Sequence, residues 1–275
     1  MKRARRIWAV LICLCLILSL GACGAESSGV TYDSAVYGRY RTLASFGQEQ
    51  FAIGFRNDDF VRYYVDAALR VLAADGTIHA IALKWFAEDN TSFAADAKAM
   101  DDIGNIPVRT LLVGVDADAF PMSYAEGDGY AGFDVEVARA LCDRLGWTVK
   151  FIPIKAENAY VELSSGNVDV AWGGLALDTS NKQFVSLAPY LTNELVLVVR
   201  VDSGIKGTGK LKGKTLVMDV GQNYMDALNM DTSLRDRFGK ITRLTGGAQK
   251  CFEALDSGEA DAAIVFSTAA RYYGK

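Results

Sequence analysis

Between residues 110 and 266 short apolar runs alternate with amphipathic stretches, and this alternation restricts the fold more than any other feature of the chain. TLLVGV (110–115), TVKFI (148–152), VDVAW (168–172), ELVLVVR (194–200), TLVMD (215–219), ITRL (241–244) and AAIVF (262–266) have the length and side-chain content of strands. Between them DVEVARALCDRLG (134–146) sets Val135, Ala138, Leu141, Cys142 and Leu145 on one helical face, and QKCFEALDSG (249–258) does likewise. Strands alternating with short helices predict an α/β fold with parallel-rich sheets built from βαβ units. Nearer the start, FAIGFR (51–56) reads as a strand and FVRYYVDAALRVLAADG (60–76) as a helix stopped by glycine.

One internal echo divides these elements into two groups. Leu163 to Ala171 and Leu255 to Ala263 share the spacing Leu-x-Ser-Gly-x-x-Asp-x-Ala, and in each a helix stops at glycine and turns straight into a strand. Similar strand numbers on either side of residue 190 then predict two similar lobes, with PYLTNELVLVVR (189–200) passing from one to the other. A two-lobe α/β protein takes its ligand between the lobes, at the carboxyl ends of the strands, where helix N-termini and free amides face it.

The first thirty residues bear on compartment. Lys2, Arg3, Arg5 and Arg6 precede the apolar run 7–20, which is shorter than the roughly 20 residues of a membrane-spanning helix. That pattern predicts a cleaved export signal. It ends in Leu20-Gly21-Ala22-Cys23, which resembles a bacterial lipobox with Cys23 as the lipidated residue; a plain signal peptide is the alternative. Loss of 1–22, which hold four basic residues and no acid, takes the formal charge from −4 to −8 and argues against a nucleic-acid partner. Residues 23–36 are small and polar, as in a flexible tether. Cys142 and Cys251 fall among core-type residues of different helices, favouring buried free thiols over a disulfide.

Several chemistries are excluded by count. His79 is the one histidine, which rules out a multi-histidine metal site, and its place on a helix of the 75–90 segment favours a structural or surface role over a part in a triad. No G-x-S-x-G elbow, P-loop or CxxC is present, and NMDTSLRDR (229–237) lacks calcium-loop spacing and reads as a solvated helix edge. Neither cofactor nor metal is expected.

The stretch LLVGVDADAFPMSYAEGDGYAGFDVEVARALCDRLGWTVKFIPI, the GNVDVAWGGLAL turn, PYLTNELVLVV, LKGKTLVMDVGQN and SGEADAAIV together resemble the extracellular solute-binding proteins of bacterial ABC importers for polar amino acids, family 3. The closing motif of that family, a helix, then Asp-Gly-Thr, then a helix ending Lys-Trp-Phe, is present too. It stands at 75–90 as DGTIHAIALKWFAEDN, so the chain resembles a circular permutant with the family's last quarter moved to the front.

The resemblance implies a two-lobe, type II periplasmic-binding-protein-like fold with two crossing segments. Its implied organisation is signal peptide 1–22, tether 23–36, the start of lobe two at 37–45, a crossing at 46–56 and the last helices of lobe one at 57–90. A linker joining the old termini (91–109), the main part of lobe one (110–190), a second crossing (191–196) and the main part of lobe two (197–275) follow. It also implies closure of the lobes on a small polar solute, most simply an amino acid, and delivery to a permease and ATPase from a lipid-anchored position on the bilayer. No enzyme activity is implied; an extracytoplasmic enzyme on the same fold and a sensory or degenerate receptor are the alternatives.

The family's solute contacts carry over unevenly. Its acid after the first strand is Asp116, and Gly173 and Gly174 stand where backbone approaches solute. Its Ser/Thr and Arg in the next turn fall on Ala176 and Asn181, with Lys182 beside the latter, and its lobe-two Asp falls on Phe266, followed by Ser267. Lys182 stands in for the guanidinium as a point charge without the bidentate fork. Asn223 is a donor from lobe two, and Phe120 and Tyr124 form an aromatic wall for a solute side chain or, with Asp116, a cation site. Each has a plainer reading, Asp116 as a turn residue and Phe120, Tyr124 and Phe266 as packing.

Overall fold

A computed structural model describes residues 29–178 and 180–275. The export signal, Cys23 and the tether to residue 28 lie outside the described residues. The strands are β1 (Val36–Tyr37), β2 (Tyr40–Phe51), β3 (Gly54–Phe55), β4 (Thr110–Val115), β5 (Tyr124–Glu126), β6 (Gly129–Ala131) and β7 (Thr148–Pro153). They continue with β8 (Val170–Ala171), β9 (Val185–Ser186), β10 (Leu191–Arg200), β11 (Thr215–Asp219), β12 (Lys240–Leu244) and β13 (Ala262–Phe266). The helices are α1 (Val61–Ala74), α2 (Thr77–Phe86), α3 (Phe133–Leu145), α4 (Ala159–Ser164), α5 (Gln222–Asn229), α6 (Thr232–Arg235), α7 (Gly247–Ser257) and α8 (Ser267–Gly274).

Two sheets organise these elements, in the orders β7-β4-β8-β3-β9 and β1-β2-β10-β13-β11-β12. In the first, β4 lies between parallel β7 and β8; in the second, β11 lies between parallel β12 and β13. Each trio is then extended by an antiparallel strand, β3 beside β8 and β10 beside β13. The lobes therefore repeat one strand order. Cys142 is buried in the core of the first and Cys251 in that of the second, both as free thiols.

The aspartates of the sequence echo explain why the pattern recurs. Asp169 N donates to Leu112 O at 2.8 Å while its carboxylate accepts from Leu112 N at 2.9 Å; Asp261 N donates to Thr215 O at 3.0 Å and its carboxylate accepts from Thr215 N at 2.9 Å. Each carboxylate thus satisfies an amide at the start of the central strand, and a cation close by neutralises it. Arg109 and Arg56 serve Asp169 at 2.9 and 3.1 Å, and Lys214 serves Asp261 at 2.8 Å. The glycine before each, Gly166 or Gly258, ends the helix with a positive φ, so the chain reverses directly into the strand.

Segment 37–90 is shared between the lobes. β2 pairs antiparallel with β10 from Tyr40↔Arg200 to Phe51↔Leu191, placing it in the second sheet. Two residues, Ala52 and Ile53, then carry the chain over to β3 in the first sheet. The run 51–56, expected as one strand, is split there because its two ends belong to different sheets. The return passage runs through 187–190, between β9 and β10, just ahead of the expected 191–196. Beyond β3, α1 buries Val61, Val65, Ala68, Leu69 and Leu72 at helical spacing, and α2 buries Ile78, Ala82, Trp85 and Phe86. All join the core that holds Leu111, Val113, Phe133 and Leu141. His79 stays exposed on α2, with Nδ1 3.0 Å from Asp89.

Residues 91–109 pack along this lobe and are more than a spacer. Phe93 stacks on Tyr190 at 4.8 Å, Ser92 N donates to Tyr190 O at 2.7 Å, and Trp147 Nε1 donates to Pro107 O at 2.8 Å. Met100 and Ile106 pack on the core as well. At the other end of the chain Gly274 touches the backbone of Tyr37 and Gly38.

Two stability measurements follow. The Asp169 side chain is 11% exposed and bridges two cations, whereas that of Asp261 is 34% exposed and holds one. Asp169→Asn should therefore destabilise by about 2–3 kcal/mol, and Asp261→Asn by about 1 kcal/mol; equal costs in urea unfolding would show that burial does not set the difference. Phe93→Ala should cost about 1–2 kcal/mol through loss of the Tyr190 stack, and an unchanged unfolding midpoint would return 91–109 to the status of a spacer.

Candidate functional site: the cleft between the lobes

The carboxyl ends of the parallel strands deliver Asp116 (after β4), Gly173 (after β8), Asp219 (β11) and Phe266 (β13). The two lobes meet over these ends. A Cβ on Gly247, at the start of α7, would lie 2.8 Å from Asp118 O of the opposite lobe.

Backbone geometry binds the lobe-one loops to one another. Asp116 N donates to Gly173 O at 2.8 Å, and Ser123 Oγ lies 2.7 Å from Gly173 O and 2.5 Å from Asp116 O. Gly173 and Gly174 have φ of 102° and 69°, and a Cβ there would come within 2.5 Å of Val115 and 2.3 Å of Ala119. Glycine is required at both, but the close approach is to the 115–123 loop.

The remaining expected contacts are mostly engaged within the protein. Asp116 is bound to Lys155 at 3.0 Å and accepts from Asp118 N at 2.9 Å. Phe120 and Tyr124 lie in an aromatic cluster across the lobe junction: Phe120 is 5.0 Å from Tyr124, 4.8 Å from Tyr272 and 5.2 Å from Tyr273 of α8, and Tyr272 stacks on Trp85 of α2 at 5.8 Å. Arg271 pairs with Glu88, and Lys275 Nζ donates to Lys84 O beside it. Asn181 uses its side-chain oxygen to accept from Gln183 N at 3.0 Å, while the Lys182 side chain is exposed and its carbonyl accepts from Asn57. Ala176 forms a bridge to Phe51. Phe266 packs on Phe51 and Tyr224 at 6.2 and 5.8 Å, and buried Ser267 donates to Asn193 Oδ1 at 2.9 Å. Asn223, exposed, reaches Glu49 of β2 at 3.4 Å.

Four residues near these positions escaped the sequence reading. Lys155 lies two residues past the end of β7, whose partner in register is the end of β4, so pairing the strand ends would have found it. Burial by itself lowers its pKa, but hydrogen bonds and charges from Asp116 and Asp118 outweigh that and hold it above the ordinary lysine value. Glu49 is pushed up by burial, only partly offset by Asn223. Tyr224 is buried and raised well above the usual phenol value, first by burial and then by Asp219, Glu49 and Asp116, which come from three different segments. No local signal marks Glu49 or Tyr224; only the fold brings them together. Asp134 is 1% exposed at the start of α3, accepting from Tyr190 OH at 2.7 Å and Gly174 N at 2.8 Å, and burial raises it to about 7.

A depression of about 660 Å³ lined by Arg56, Phe60, Tyr64, Arg109 and Tyr160 lies away from these positions, at the opposite end of β4. Among the described residues, no group of three or more His, Cys, Asp or Glu side chains is placed to hold a metal ion. No described helix is long and apolar enough to cross a membrane.

The profile of the bacterial extracellular solute-binding proteins, family 3, matches residues 111–243. The arginine-binding extracellular protein ArtP of Bacillus subtilis (strain 168) is 29% identical over 168 residues, 61% of this chain and 65% of its own. The L-cystine-binding protein TcyJ of Escherichia coli (strain K12) is 28% identical over 58% of this chain and 60% of its own. The chain thus spans just under two thirds of these curated relatives. Among solved structures, the ancestral cationic amino acid solute binding protein AncCDT-1 is 30% identical, over 60% of this chain and 73% of its own, with a TM-score of 0.51. The chain belongs to family 3 of the extracellular solute-binding proteins.

The family's two-lobe type II fold accounts for the repeated strand order and the paired crossings described above. The buried Asp134 ties the start of α3 to the turn at Gly174 and to Tyr190 at the entry of β10. A carboxyl raised in the folded state binds more protons there than in the unfolded chain, so its contribution to stability is present below the unfolded pKa and is lost as pH rises to about 7. The loss is on the order of 4 kcal/mol between pH 4 and 7. Asp134→Asn should remove this falling component, seen as the difference between wild-type and variant unfolding free energies across pH 4–8; a difference independent of pH would show that Asp134 titrates as an ordinary carboxyl.

Proposed function

We propose that the chain is the solute receptor of an ABC importer, exported and held at the membrane by lipid on Cys23, which takes a small polar solute of amino-acid type into the interlobe cleft. The observation that carries this reading is the pair of similar lobes joined by two adjacent crossing strands, β2–β3 and β9–β10, in a chain of family 3. Two short crossings side by side let the lobes rotate about them. A solute that touches both lobes then shifts the population toward the closed form, which docks on a permease driven by an ATPase. The names of the relatives, arginine-binding and L-cystine-binding, support the amino-acid class.

Circular permutation belongs to the same reading. The family's closing helices correspond to α1 and α2, residues 91–109 join them to β4, and the matched share of the chain, 60–61% for two of these relatives, equals that of Thr110 to Lys275. Contact between Gly274 and Gly38 supports an opening of the family's order between α8 and β2. Domain ends that lie together on the surface make such a rearrangement inexpensive.

A second reading, a sensory or receptor-like protein with altered ligand preference, is favoured by the engagement of Asn181 in its own turn and of Ser267 with Asn193. Thermal unfolding with a panel of amino acids, amines and organic acids tests both. A solute at 100 times its dissociation constant should stabilise by roughly 2.7 kcal/mol. Stabilisation by an amino acid supports the importer receptor; no shift across the panel sinks it and leaves the second reading.

A further inference from the structure

The ion cluster at the mouth of the cleft bears on which solutes can enter, an inference that rests on the receptor reading above. Asp116 ends β4 and Lys155 follows β7, adjacent parallel strands paired Val115↔Pro153, so the two side chains emerge together at the cleft-facing edge of lobe one. Lys155 Nζ lies 3.0 Å from Asp116 Oδ1 and 3.1 Å from Asp118 Oδ2. The Asp116 side chain is 21% exposed, and its second hydrogen-bond partner is Asp118 N at 2.9 Å. Asp118 itself stands opposite Gly247 of the other lobe, so the cluster lies on the seam that must close over a solute.

We infer that Lys155 sets the charge selectivity of the cleft, acting as a built-in cation that occupies the acids a cationic solute side chain needs. A guanidinium or ammonium entering beside Asp116 meets Lys155 within a few ångströms. It is repelled by a like charge in a partly desolvated seam, and it must displace an existing pair to gain its own. A neutral amide or ureido group has no such conflict, because it can donate to the outer lone pairs of Asp116 while Lys155 stays in place. The cleft therefore takes polar solutes without a cationic side chain, and a single lysine holds that preference. No other described basic side chain pairs with Asp116 or Asp118.

The experiment compares arginine with citrulline, its neutral ureido counterpart, by isothermal titration at low salt on the full chain and on Lys155→Met and Lys155→Arg forms. Lys155 is half-exposed, so both substitutions are compatible with folding, which circular dichroism checks. The wild-type chain should favour citrulline. Lys155→Met should move the arginine-to-citrulline affinity ratio toward arginine at least tenfold, an effect that shrinks as salt screens the charges, while Lys155→Arg keeps the wild-type ratio. Wild-type preference for arginine, or a ratio unchanged in Lys155→Met, overturns the inference and leaves the receptor reading standing. Absence of binding of either solute to all three forms also overturns the inference, while the receptor reading stands or falls on the wider solute panel.

Discussion

The antiparallel pairing of β2 with β10 is the constraint on which the rest of the structure depends. It joins segments about 150 residues apart in sequence, from Tyr40↔Arg200 to Phe51↔Leu191. Closing so long a loop carries an entropic cost that grows only slowly with length. Burial of Leu43, Ala44 and Phe46 alongside Leu195, Leu197 and Val199 in one core opposes it. Once that pair forms, β1 and β2 belong to the second sheet, and everything after Phe51 is delivered to the first. The helices α1 and α2 then have one apolar surface to cover, the face of lobe one beside α3, and the sequence-distant start of the chain completes a core that the middle alone leaves open.

The cleft shows the same economy in its polar groups. Asp116 is held by Lys155, Gly174 N by Asp134, Ser267 by Asn193, and the Asn181 side chain by its own turn. Buried or partly buried polar groups in a closed cleft need partners, and here the protein supplies them. The aromatic junction of Phe120, Tyr124, Trp85, Tyr272 and Tyr273 adds apolar contact between α8 and lobe one. Lobe contact in this chain therefore rests on internal rings and ion pairs, and any ligand that favoured a closed form would have to improve on those contacts.

Much of the fold was legible because its signals are local. Strand runs at 110–115, 215–219 and 262–266 coincide with the observed strands, and the helix read at 134–146 runs over Phe133–Leu145, since periodicity and glycine stops act over a few residues. The echo at Asp169 and Asp261 was legible as a pattern but not as a reason: the amide each carboxylate serves lies on a strand far away in sequence, and its cations stand just beside strands that are likewise distant. The break in 51–56 was hidden because Phe51, Ala52, Ile53 and Phe55 are all buried, and an unbroken apolar run looks alike whether it stays in one sheet or passes between two.

What the sequence determined by itself is the class of element at each position, the doubling of the α/β unit and the motifs that mark its family, because propensity, periodicity and glycine placement are properties of neighbouring residues. Tertiary structure alone decided the partner of each side chain. Lys155 beside Asp116, Glu49 beside Asn223 and Asp134 beneath Gly174 arise from strand register and lobe contact, which bring together groups that no spacing rule connects. Charge and burial act through distance in space, so the character of the cleft became readable only once the strands were paired.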